Sequence, residues 1–212
     1  MLDGINEKQL EEMMMSRHTP GVYDAVKDAR VAIAGLGGLG SNIAVMLART
    51  GVGHIHLIDF DMVDASNLNR QHYSIKHLGM YKTDALKEQL EQINPFVDIT
   101  ADCIKVTSEN AVKLTGDADI VCEAFDNPEA KAMLTDAVLS YTDKILVAAS
   151  GMAGIESSND IITRKVTDRF YMCGDGVTAA QDGTGVMAPR VTICAAHQAN
   201  MVVRIITGNK SV

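Results

Sequence analysis

No two of the four cysteines (Cys103, Cys122, Cys173, Cys194) are spaced Cys-x-x-Cys. That absence leaves neither a four-cysteine zinc site nor a disulfide framework to be read. Cys103 and Cys122 sit in apolar, strand-like runs, where a buried free thiol is expected. Basic excess is also missing: 19 Lys and Arg against 27 Asp and Glu leave a net charge of −8. This argues against a broad electrostatic footprint on nucleic acid or an anionic membrane. No apolar run reaches the roughly eighteen residues needed to cross a bilayer. The first residues, Met1 to Glu7, have neither the basic start nor the apolar stretch of a signal peptide, so a cytoplasmic protein is expected. Internal repeats and low-complexity tracts are absent.

What remains is a 212-residue chain, 47% apolar, long enough for one full α/β domain with a sizeable core. Residues 1–29 read as a helical N-terminal arm: Lys8 to Met15, a break at Thr19-Pro20-Gly21, then Val22 to Lys27. Residues 30–212 read as a single domain. From Val31 strands and helices alternate, which predicts a Rossmann-like three-layer α/β/α fold on a mainly parallel sheet, with the later strands antiparallel. Strands are expected at Val31–Ala34, His54–Asp59, Asp98–Ile104, Ile120–Ala124 and Ile145–Ala149. Helices are expected at Ser41–Thr50, Lys82–Ile93, Glu109–Thr115 and Pro128–Ser140. A later strand follows at Ile161–Val166, then a long loop from Cys173 to Gly185. A final helix runs from about Pro189 to Ile206, with Gly208 as its stop.

The first strand runs into Gly35-Leu36-Gly37-Gly38-Leu39-Gly40 and a helix opens behind it. At such a strand-to-helix turn a phosphate chain can lie against peptide N–H groups and the positive end of the helix dipole. Glycines alone are a weak signal, since they also mark ordinary turns. Asp59 strengthens it, because it ends a strand nineteen residues after Gly40 and is placed to bond ribose hydroxyls.

The loop after Asp59 departs from a dehydrogenase. Asp61 and Asp64 are placed to position a cation or to cap the loop. Asn67 and Gln71 offer amide donors, and Arg70 offers a planar fork to polyphosphate. The plain alternative is a solvated polar loop. Lys82 opens a helix, where a cation opposes the macrodipole, so its position calls for an anionic partner unless it is a solvated surface lysine. Asp126 ends the apolar run from Ile120 and precedes Asn127-Pro128. It suits a helix N-cap, and it equally suits a Mg²⁺ held between phosphates at the carboxyl end of a parallel strand.

Taken in order, Gly35–Gly40, Gly51-Val52-Gly53, Asp59-x-Asp61-x-Val63, Asn67-Leu68-x-Arg70-Gln71, Gly79-x-x-Lys82 and Asp126-Asn127 resemble the ubiquitin-activating-enzyme superfamily. Within it the sequence is most similar to the small ThiF/MoeB-type adenylyltransferases. Gly185-Val186-Met187-Ala188-Pro189 and the helix carrying Gln198-Ala199 extend the resemblance over about residues 30–208.

The resemblance implies ATP-dependent adenylation of the C-terminal glycine of a ubiquitin-like sulfur carrier ending in Gly-Gly. It points to a ThiS-like carrier in thiamine biosynthesis, with a homodimeric enzyme, ATP and Mg²⁺. It implies that Asp59 binds ribose, that Asn67, Arg70 and Lys82 hold phosphates, and that Asp126 serves Mg²⁺. Relatives also donate an N-terminal arginine to the partner subunit's site; Arg17 is the candidate, then Arg30, against a plain surface arginine.

Three departures stand out. The zinc-binding cysteine pairs are missing, so no structural zinc is expected. Gln181 occupies the position of a reactive cysteine, for which Cys173 in the expected loop is the substitute candidate. Lys131 stands where an arginine is usual. The alternatives are adenylation of another carboxylate (a peptide or a modified tRNA nucleoside), a NAD-dependent oxidoreductase, and a nucleotide-binding scaffold without catalysis.

Overall fold

The computed structural model describes residues 4–212; the first three residues of the N-terminal arm lie outside the described residues. The chain opens with helix α1 (Glu7–Met15), whose N-cap Asn6 and N3 residue Gln9 exchange side-chain and backbone bonds in a capping box. A break at Thr19–Gly21 leads into α2 (Val22–Val26). Val26 is fully buried in the main core, so α2 is built into the domain rather than set beside it.

The rest alternates strand and helix: β1 (Arg30–Ala34), α3 (Gly38–Thr50), β2 (His54–Asp59), α4 (Lys82–Ile93), β3 (Asp98–Cys103), α5 (Ala111–Leu114), β4 (Ile120–Glu123), α6 (Pro128–Tyr141) and β5 (Ile145–Ala149). Then come β6 (Ile162–Thr167), β7 (Phe170–Gly174) and α7 (Ala188–Ile206). One seven-stranded sheet has the order β3-β2-β1-β4-β5-β7-β6. All neighbours are parallel except β6, which runs antiparallel to β7. This is the expected Rossmann-like α/β class with an antiparallel end.

β1 is buried on both faces, as a central parallel strand must be. Val31 and Ile33 point toward α3, α4 and α7, while Ala32 and Ala34 point toward α5 and α6. The long apolar helix α7 packs against α3, which fixes the start of α3 beneath the glycine loop. Chain order reverses between β1 and β4, and the crevice at their carboxyl ends is where open α/β sheets bind ligands.

Two expectations need correcting. The loop expected from Cys173 begins at Asp175, because Phe170–Gly174 forms β7, a hairpin partner of β6. Tyr171 and Cys173 fill the core on the α7 side, and their alternation with Phe170 and Met172 is the period-2 signal of a strand. Cys103, expected to be buried, is exposed on the edge strand β3, whereas Cys122 is buried as expected. Among the described residues no helix is long and apolar enough to cross a membrane.

Candidate active site

The glycine loop is locked from several sides. Gly35 has φ +90°, and a Cβ there would lie 2.8 Å from the Ala124 carbonyl oxygen. A Cβ on Gly40 would come within 1.8 Å of the Gly35 carbonyl oxygen, so helix and strand meet too closely for any side chain. At Gly38 it would press on Val191 of α7 and on the stem of Arg70. Gly37 differs: its Cβ direction meets only the Gln71 amide, at 3.8 Å. The fold therefore requires Gly35 and Gly40, while Gly37 keeps an open face for a ligand.

Asp59, at the end of β2, is tied to this loop. Its Oδ2 accepts from the Leu36 N–H at 2.6 Å and its Oδ1 from the Asp61 N–H at 2.8 Å. The Tyr73 hydroxyl donates to the Leu36 carbonyl at 2.8 Å. Burial, with Asp59 and Asp61 nearby, pushes that phenol well above its usual range, so it stays a donor. Ser41 and Asn42 in the first turn of α3 add further ties. The Ser41 hydroxyl donates to Gly37 O and accepts from the His72 N–H, and Asn42 Nδ2 donates to Gly38 O and Arg70 O. Sequence reading passed over Ser41, Asn42 and Tyr73; two polar residues opening an otherwise apolar helix were the available signal.

A cleft of about 300 Å³ lies at the carboxyl ends of β1, β2 and β4. It brings together Gly35, Gly37, Asp59, Asp61, Lys82 and Asp126 from the sequence prediction. Phe60, Ile104 and Phe125 add apolar wall, and Lys105 Nζ lies 5.8 Å from the Phe60 ring centroid. None of these four was foreseen. Lys82 is buried at the start of α4, and its Nζ donates to Asp61 Oδ2 at 2.7 Å. Asp61 is thus the anionic partner that the position of Lys82 demanded. Asp64 caps a short 3-10 turn, accepting from the Ser66 N–H at 2.8 Å; the Ser66 hydroxyl, with this N–H, holds its carboxyl below the usual range.

Asp126 is exposed at the mouth of the cleft and has no hydrogen-bond partner among the described residues. The cap of α6 is Asn127, whose Oδ1 accepts from the Ala130 N–H at 2.8 Å. The N-cap role considered for Asp126 therefore belongs to its neighbour, and the Asp126 carboxylate stays available to a cation.

Asn67, Arg70 and Gln71 stand apart from this cleft, across the glycine loop. The Arg70 stem lies over Gly38, and its Nη1 donates to Ser66 O at 3.1 Å and to Asn69 Oδ1 at 2.8 Å. Asn67 Oδ1 accepts from the Asp64 N–H at 3.1 Å. Gln71 is buried beside Gly37, and its Oε1 has no partner, an orphaned polar atom next to the open glycine.

Lys131, the residue standing in place of an arginine, pairs with Glu123 at 2.9 and 3.0 Å. Glu123 is 1% exposed at the end of β4, and burial raises its carboxyl above the usual range against the opposing pull of Lys131. Its Oε1 also accepts from the Phe125 N–H at 2.7 Å, which sets the Phe125–Asp126 turn. Gln198 of α7 donates to Glu123 O and Val147 O, joining β4 to β5. An acid inside an apolar strand run was the only hint of this cluster.

Cys173 does not lie in a flexible loop. It is fully buried in β7, and burial pushes its thiol up to about 11, so its setting disfavours the thiolate that a nucleophile needs. Arg17 is exposed just after α1. The arm packs at the opposite end of β2 from Asp59: Gly53 N donates to Val26 O, and Met15 abuts Gly51. Arg17 therefore stands far from the glycine loop of its own chain. Among the described residues no group of three or more His, Cys, Asp or Glu gathers as a metal site.

A mainly parallel sheet with a glycine loop and an acid- and lysine-lined crevice at its carboxyl edge defines a protein of the Rossmann-like α/β class. The chain belongs to the ThiF family, whose profile matches residues 10–212. It is 33% identical over 206 residues to the adenylyltransferase and sulfurtransferase UBA4 of Candida glabrata, covering 92% of this chain and 47% of that protein. It is 30% identical over 189 residues to the molybdopterin-synthase adenylyltransferase of Salmonella typhimurium, covering 86% of this chain and 75% of that protein. The chain thus spans about half the length of the UBA4-type relatives. Among solved structures, the E. coli tRNA N6-threonylcarbamoyladenosine dehydratase TcdA in complex with ATP shares the fold. It has a TM-score of 0.85 at 21% identity, with 96% of this chain and 97% of that chain covered.

Proposed function

We propose that the chain is an ATP-dependent adenylyltransferase acting on the C-terminal glycine carboxylate of a ubiquitin-like sulfur carrier protein. The observation that carries this reading is the buried Lys82 ammonium in one cleft with Asp59, Asp126 and the open face of Gly37. The names of relatives in the same family, an adenylyltransferase and sulfurtransferase and a molybdopterin-synthase adenylyltransferase, support it. The finer assignment is a ThiS-like carrier in thiamine biosynthesis.

In this reading the carrier carboxylate attacks the α-phosphorus of ATP. A carboxylate O–P bond forms, the bond to the bridging oxygen of the β-phosphate breaks, and pyrophosphate leaves. No protein nucleophile is needed; the protein positions groups and stabilises charge. Asp59 bonds the ribose, with lone pairs beyond those used by Leu36 and Asp61. The N–H groups at Gly37 and Gly38 and the start of α3 face the phosphates. Lys82 neutralises charge developing on the phosphates, and Arg70 swings from its neutral acceptors to a phosphate oxygen. Asn67 and Gln71 supply amide donors. Asp126 would hold Mg²⁺, which takes one or two carboxylates plus phosphate oxygens and supplies charge neutralisation.

A homodimer accounts best for Arg17, which in this reading reaches the partner subunit's ATP site. Adenylation of a modified tRNA nucleoside is the second reading, favoured by the fold shared with TcdA. The net charge of −8 weighs against docking a polyanion. A NAD-dependent oxidoreductase leaves Lys82, Arg70 and Asp126 without a task. Carrier-dependent exchange of labelled pyrophosphate into ATP tests the proposal: exchange with a Gly-Gly-terminated carrier supports it, and tRNA-dependent exchange favours the second reading.

A further inference from the structure

Residues 176–187 join β7 to α7, and both ends of this loop are pinned. At its start the Asp175 carboxylate pairs with Arg190, which is 3% exposed and also donates to Ser157 O at 2.7 Å. At its end Val186 O accepts from Asn69 Nδ2 at 3.2 Å, and Gly185 O accepts from the Gly154 N–H at 2.8 Å. Between the pins, Gln181 and Thr184 bond each other and Val177 is 86% exposed. The other end of the Asn69 amide, Oδ1, accepts from Arg70 Nη1 at 2.8 Å. One planar side chain therefore touches both the loop and the arginine.

We propose that Asn69 is a positioning residue that couples Arg70 to the 176–187 loop, so that occupancy of the nucleotide site is transmitted to the loop. The inference rests on the reading of Arg70 as a phosphate ligand. Arg70 Nη1 bonds only neutral oxygens here, Ser66 O and Asn69 Oδ1. A phosphate offers a charge-assisted bond roughly twice as strong as a neutral one, so Arg70 turns toward it and releases Asn69 Oδ1. The amide is rigid, and rotation that follows the loss of one bond misaligns the other. Val186 is then freed, while the Asp175–Arg190 pair keeps the start of the loop in place. The response is confined to residues between the two pins.

Hydrogen–deuterium exchange of residues 176–187 in the full chain, with and without saturating ATP and Mg²⁺, tests this, with calorimetry reporting ATP affinity separately. Asn69→Asp keeps an acceptor for Arg70 and removes the donor to Val186; Asn69→Ala removes both, and the exposed position makes either variant compatible with folding. In the wild type ATP is expected to speed exchange in the loop about five-fold, the equivalent of one lost hydrogen bond. In both variants the loop exchanges alike with and without ATP; the ATP Kd of Asn69→Ala stays within about three-fold of wild type, whereas Asn69→Asp, whose carboxylate competes with phosphate for Arg70, binds ATP more weakly. A wild-type chain that binds ATP with no change in the loop, or variants that respond as wild type does, overturns the coupling alone. A wild-type chain that fails to bind ATP overturns the nucleotide reading, and the coupling with it.

Discussion

Lys82 Nζ lies 2.7 Å from Asp61 Oδ2, and the Lys82 N–H donates to the Asp61 carbonyl oxygen at 2.9 Å. This double contact offsets the cost of a cation at the positive end of α4 and holds a buried ammonium at the cleft. Lys82→Met is expected to lower pyrophosphate exchange by at least about 100-fold through lost charge stabilisation. The apolar stem still packs, so the melting temperature should move by only a few degrees. Asp61→Asn leaves the ammonium without its counter-charge and should cost about 1–2 kcal/mol, discounted because Asp61 is half exposed. Denaturant unfolding and exchange assays on the same preparations check both.

Gly40 and Gly37 separate fold from binding. Gly40→Ala forces a Cβ into the Gly35 carbonyl and is expected to destabilise by several kcal/mol, on the order of other overpacked cores. Gly37→Ala meets only the movable Gln71 amide, so stability should change by less than about 1 kcal/mol. The new methyl fills the open face, and the ATP Kd should rise about ten-fold or more. Equal losses of stability in the two variants would count against this division.

The thiols divide in the same way. Cys103 is the exposed one, and a thiol reagent at neutral pH should modify one cysteine per folded chain quickly and the other three only on unfolding. Burial raises Cys173 to about 11 and Cys194 to about 12, above the ordinary thiol value of 9.0. The unfolded chain therefore loses these protons first. Stability present below pH 9 declines as pH rises toward 11, on the order of 2–3 kcal/mol from Cys173 alone. Urea midpoints between pH 8 and 11 test the sign, and Cys173→Ala should flatten the curve.

Arg17 should affect activity only in an assembled protein. Arg17→Ala is expected to lower exchange about ten-fold or more without shifting the melting temperature. Mixing it with an inactive Lys82→Met chain should restore part of the activity, because one mixed site then has both groups. No recovery in a dimer verified by sedimentation would remove the arginine from the site.

Much of the sheet was legible because apolar runs end at turn residues. β2, α4 and β5 match their expected bounds, and β1 differs only by Arg30. β7 escaped notice because it is five residues long, ends in Gly174 and runs on into a Gly- and Asp-rich loop, so its local composition spoke for loop. Lys82 and Asp126 could be singled out from position alone, one against a helix dipole and the other at a strand end. Glu123, Ser41, Asn42, Asn69 and Tyr73 could not, since their roles depend on partners from other segments. Glu123, for instance, meets Lys131 only once α6 has packed on the sheet.

The most direct test of the account is ATP–pyrophosphate exchange by the wild-type chain in the presence of a purified carrier ending in Gly-Gly. The expected result is carrier-dependent exchange that is lost in Lys82→Met, Arg70→Ala and Asp126→Ala, each still folded. A folded wild-type chain that binds ATP yet exchanges no pyrophosphate with any glycine-terminated carrier would contradict it.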